Sequence, residues 1–160
     1  MTKKNKILWT IGSVIAAVMI ALLVINPFKK DIWDINADKL RNSFNVISGD
    51  SVINDLSQWT PFEWDTLYSF VPYTTKDKIY EVVGYKWDNI SETVSEGMNQ
   101  IVFVKDDKVV CYLYGYPANI KLGFNFGEYE DSYIKLDAKQ KLSFNTTISS
   151  NGVRYFDYIK

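Results

Sequence analysis

Two carboxylates stand one residue apart at Glu63 and Asp65, within a stretch whose alternation predicts a strand. Sharing one strand face, they could flank a glycosidic bond as paired carboxylates, provided a third group raised one pKa. Solvated strand residues show the same pattern. Asp65 also has a structural alternative, accepting hydrogen bonds from the Tyr73-Thr74 turn. The rest of the chain offers catalysis little help. Histidine is absent, which removes the commonest general base, and the single thiol, Cys111, lies mid-strand where a small buried residue is expected. With no histidine and one cysteine, neither a Cys-His pair, a zinc site of the usual spacing nor an internal disulfide can be assembled. Oxygen donors gather in Gly127-Glu128-Tyr129-Glu130-Asp131-Ser132, but without the regular spacing of a calcium loop they read as a solvated turn. No Gly-rich phosphate loop or serine nucleophile elbow occurs. The expectation is a chain with no catalytic residues, no metal and no cofactor.

Binding chemistry is better represented. Nine aromatic rings fall between positions 59 and 87: Trp59, Phe62, Trp64, Tyr68, Phe70, Tyr73, Tyr80, Tyr85 and Trp87. Core packing accounts for most of them, yet Trp and Tyr are also favoured where surfaces meet partners or sugars. Trp59, Trp64, Tyr73 and Trp87 are the candidate binding residues, with Glu63 and Asp65 as the carboxylate alternative.

The elements that must position these residues follow from periodicity. Residues 62–71 alternate as a half-buried strand ended by Pro72. Thr74 opens a helix with Asp77 in a capping-box-like arrangement, Ile79, Val82 and Val83 form its apolar stripe, and Gly84 stops it. Residues 100–104 and 109–114 form a hairpin closed by Lys105-Asp106-Asp107-Lys108, and 141–149 and 153–159 form another around Ser150-Asn151-Gly152. Residues 119–126 and 133–136 read as further strands. Nearer the amino terminus, Asn36 can cap a short helix carrying Leu40, Phe44 and Ile47. The class is α+β: an N-terminal transmembrane helix, then a small domain with an antiparallel sheet of about five to seven strands and one or two helices.

Residues 7–28 contain no charge and would extend about 33 Å as a helix, enough for a hydrocarbon core of roughly 30 Å. The run is too long for a cleavable signal peptide, its Ile-Asn-Pro-Phe exit lacks a small-x-small site, and no lipidation cysteine follows. It reads as a single-span signal anchor. Lys3, Lys4, Lys6 and the free amino terminus precede it, against Lys29 and Lys30 after it, so the amino terminus is expected in the cytoplasm and the domain outside. The expected organisation is a basic tail at 1–6, the anchor at 7–28, a juxtamembrane helix and linker at 29–58, and an extracytoplasmic domain at 59–160. Five of the eighteen basic residues flank the anchor, whereas all nineteen acidic residues follow position 30. An acidic domain of this kind excludes nucleic acid as a partner. Abundant Lys, Asn, Ile and Tyr point to a bacterial source.

The run Trp64-Asp65-Thr66-Leu67-Tyr68-Ser69-Phe70-Val71-Pro72-Tyr73-Thr74, with Ile79, Ile101-Val102-Phe103-Val104 and Val109-Val110 after it, resembles small bacterial lipoprotein-like or membrane-anchored extracytoplasmic proteins of uncharacterised function. It covers about residues 60–115. The resemblance implies a strand, turn and helix followed by a hairpin, and an extracytoplasmic location, but brings no catalytic residues. The chain departs from the lipoprotein pattern in having a membrane helix where the lipidated cysteine would be. The reading is a membrane-tethered binding or accessory module whose partner is an envelope protein or cell-wall component. An envelope hydrolase using Glu63 and Asp65, or an immunity or inhibitor protein, is the alternative.

Overall fold

β-Branched and aromatic residues recur at alternate positions through much of the chain, and strands dominate its computed structural model, which describes residues 11–19, 30–129 and 131–160. The chain divides into two units, Met1–Lys30 and Asp31–Lys160. In the first, residues 11–19 are helical and exposed. The remainder of the expected anchor, at 7–10 and 20–28, lies outside the described residues, and among those described no helix is long and apolar enough to cross a membrane.

The second unit is α+β, with helices α1 (Ile32–Ser43), α2 (Lys76–Val83) and the single turn α3 (Pro117–Ile120). Its strands are β1 (Ser51–Ile53), β2 (Thr66–Phe70), β3 (Asn99–Lys105), β4 (Lys108–Gly115), β5 (Leu122–Asn125), β6 (Tyr133–Asp137), β7 (Ser143–Ile148) and β8 (Arg154–Ile159). Where the alternation predicted one sheet of five to seven strands, the strands form two sheets of four, in the orders β1-β7-β8-β5 and β4-β3-β2-β6. Periodicity marks which residues face inward but not which of two sheets a strand joins. All pairings are antiparallel except β5 with β8, which run parallel.

β2 lies between β3 and β6, so both of its edges are paired, and each of its faces packs into a core. Leu67, Ser69, Tyr68 and Phe70 are all buried, whereas the sequence predicted one solvated face. On one side Leu67, Ile101, Phe103, Cys111 and Leu113 join Leu122, Phe144 and Phe156 of the other sheet in a core shared by both sheets. On the opposite side Tyr68, Phe70, Val102 and Tyr112 pack with Ile79 and Val83 of α2 and with Ile90. The layering is therefore sheet, sheet, helix.

The hairpin between β3 and β4 forms as expected, with Asp106 and Asp107 both at positive φ (47° and 57°), the conformation a two-residue turn requires. α2 also forms, but its cap is Thr75, whose side chain accepts from the Lys78 backbone N–H; Gly84 closes it at φ 96°. α1 differs more. Asn36 sits inside it, buried, and its Nδ2 donates to the Val110 carbonyl at 2.9 Å. That bond satisfies a carbonyl on the edge strand β4, while Ala37, Leu40 and Phe44 enter the shared core.

Candidate functional site

The nine clustered rings are divided by β2 and its neighbours. Trp59, Phe62 and Trp64 belong to the core between the sheets, whereas Tyr68, Phe70, Tyr80, Tyr85 and Trp87 belong to the core under α2. Trp59 is half-buried and stacks on Phe44 with centroids 6.3 Å apart. Trp64, only 6% exposed, meets Phe103 edge to face at 5.3 Å and donates its indole N–H to Thr60 Oγ1 at 2.9 Å. Trp87 is half-buried between Trp33 and Tyr112, each at 5.3 Å. The candidate binding residues thus do not form one surface.

Tyr73 stands apart from both cores. It is 58% exposed, and none of the ring pairs among the described residues includes it. Its backbone has φ 68°, uncommon for any residue but glycine and a clear outlier for one this bulky. The Tyr73 N–H is held there by two acceptors of the same residue, the Thr93 carbonyl at 3.2 Å and Thr93 Oγ1 at 3.1 Å. Thr93 is buried, so the turn is pinned to the body of the domain, and the next residue, Val94, is 73% exposed. Tyr73 and Val94 thus stand exposed on backbone segments joined by these bonds, as one partly apolar tip. The sequence pointed to Tyr73; nothing in it singled out Thr93 or Val94, which are twenty and twenty-one positions away.

The carboxylates lie just before β2. Glu63 is exposed and lines an open cleft of about 530 Å³, whose other walls include Phe62, Trp64 and Lys105. Asp65 instead engages the β3–β4 turn: Lys105 Nζ donates to its Oδ1 at 2.8 Å and the Asp106 backbone N–H to its Oδ2 at 2.9 Å. These bonds, not ones from the Tyr73-Thr74 turn, occupy the carboxylate. Lys105 and the Asp106 N–H hold the Asp65 carboxyl below its ordinary range, which keeps it ionised, weakens it as a base and opposes a role as general acid.

Cys111 is fully buried, and burial raises its thiol pKa, the reverse of nucleophile activation. Burial likewise pushes Tyr112 up to about 12, its phenol lying within a network with Ser91 and Gln100. Among the described residues no group of three acidic or cysteine side chains is placed to hold a metal; Glu130 of the acidic loop lies outside them. Comparison with family models, with curated proteins and with solved structures finds no match.

Proposed function

We propose that the chain is a membrane-tethered extracytoplasmic binding module. Residues 7–28 anchor it with the amino terminus in the cytoplasm, and the unit Asp31–Lys160 meets an envelope protein or cell-wall component through the tip at Tyr73 and Val94. The observation that carries this reading is the Tyr73 ring, held in water on a backbone pinned at φ 68°. Folding alone has no use for such a residue, because glycine would take that conformation without strain. A large ring with few rotatable bonds, presented rigidly beside an exposed valine, is what an interface anchor requires. The tether supports the same reading, since it confines the tip to a layer near the membrane and raises the effective concentration of any partner there.

Two measurements on the intact, membrane-embedded chain test the proposal. A photoreactive phenylalanine analogue at position 73 is expected to form an adduct with a discrete partner, whereas the same group at the exposed position 141 forms none. Identical adducts at both positions would remove the tip from the interface. Protease added outside intact cells is expected to digest the domain; digestion only after the cells are opened would reverse the topology.

A further inference from the structure

A second concave surface lies where the end of α1, the start of β5 and the β7–β8 turn converge, and it has a different chemistry. The cleft measures about 270 Å³ and is lined by Arg41, Lys121 and Arg154, by the amides of Asn42 and Asn45, and by apolar side chains such as Phe44. None of its lining residues is acidic. That bias is local, because in this unit nineteen acidic residues face thirteen basic ones.

Arg154 is its centre. The residue is 4% exposed, a depth at which arginine normally faces a carboxylate. Here its Nη1 donates to the Gly49 carbonyl at 3.0 Å and to Thr146 Oγ1 at 3.3 Å, and its Nη2 donates to the Ile47 carbonyl. Among the described residues no ion pair involves Arg154. Neutral acceptors fix the guanidinium plane without cancelling its charge, and three bonds leave part of its five-donor fork for a ligand.

Lys121 adds a second cation by an unusual route. It ends α3 at φ 64°, the left-handed region, and its carbonyl accepts the Arg154 backbone N–H at 3.1 Å, tying the two residues together. Its Nζ makes only a long contact, 3.4 Å, to the Asn151 carbonyl. Arg41 supplies a third positive group, though Asp38 pairs with it. Two cations without an acidic partner among the described residues, from separate elements, therefore face one small cleft with an apolar wall, where charge attraction is screened less than in bulk water.

We propose that this cleft binds a phosphate group. A rigid guanidinium fork together with an ammonium matches a phosphate's several oxygens and its charge of up to two better than it matches a carboxylate. The group could come from a free phosphate ester or from a phospholipid headgroup. Isothermal titration of the full chain in neutral detergent separates these sources, using inorganic phosphate in one arm and micelles doped with phosphatidylglycerol in the other.

Saturable binding in either arm, weakened about tenfold in Lys121→Gly, is the expected result, the loss of one charge-assisted bond. Glycine tolerates the backbone at 121, so this variant keeps the fold; Arg41→Gln, on the helix flank, is the second test and is expected to weaken binding in the same direction. Binding in the first arm alone assigns a soluble phosphate ester, and binding in the second alone assigns a lipid headgroup. No saturable binding in either arm would overturn the proposal. So would an affinity unchanged in both variants, or acetate binding as tightly as phosphate.

Discussion

Forty positions separate the Asp65 carboxylate from the Lys105 ammonium that holds it, and the pair forms only because β2 and β3 are neighbours. The sequence therefore offered Asp65 as an acid-base candidate without showing what occupies it. The consequence is measurable by following carboxyl resonances against pH. Asp65 is expected to titrate below the ordinary aspartate value, and Lys105→Ala to move it back up. Because the folded-state pKa is depressed, the pair's contribution to stability is present above the unfolded value and is lost as pH falls through the folded one. The site is exposed, so the effect on unfolding is small. Tyr112 gives the opposite case. Its folded pKa is raised to about 12, so stability is intact below the unfolded value near 10 and falls as pH rises between the two. Tyr85 and Tyr129 are raised by burial in the same direction. Denaturant midpoints between pH 9 and 12, in steps, are expected to drop, and Tyr112→Phe to drop less steeply.

Local patterns marked the elements well where the chain closes on itself within a few residues. The Lys105-Asp106-Asp107-Lys108 turn and the Gly84 stop of α2 were legible because their chemistry is local. Arg154 is legible in principle: counting back two from Phe156 places it on the inward face of β8, where a cation is unexpected. β1, three residues long, carries too little periodicity to register. α1 was legible in the sequence, but its role was not, since only the fold shows Leu40 fully buried within the core the two sheets share. Leu40→Ala is expected to cost about 2–5 kcal/mol in chemical denaturation, the range for a buried leucine. A change within about 0.5 kcal/mol, typical of exposed positions, would mean that the helix packs loosely and serves as a linker.

At the scale of the molecule, the clustered aromatic rings, most of which core packing was expected to absorb, fill two cores, one on each face of the β4-β3-β2-β6 sheet. Sequence crowding could not reveal this, because β2 alternates its side chains between those cores and so divides neighbours in the chain. Leu40, Phe44, Ile53 and Leu56 also belong to the shared core, so a fragment beginning at residue 59 is expected to remain unfolded by circular dichroism, whereas Asp31–Lys160 folds. What stays outside both cores is Tyr73, and the account of the chain as a binding module depends on that ring being kept for a partner and not for folding. The direct measurement is the unfolding free energy of Tyr73→Gly. Relief of the left-handed backbone, less glycine's extra chain entropy, predicts a gain of about 1 kcal/mol. A loss of that size would show that the ring supports the fold, and would contradict the assignment of Tyr73 to a binding surface.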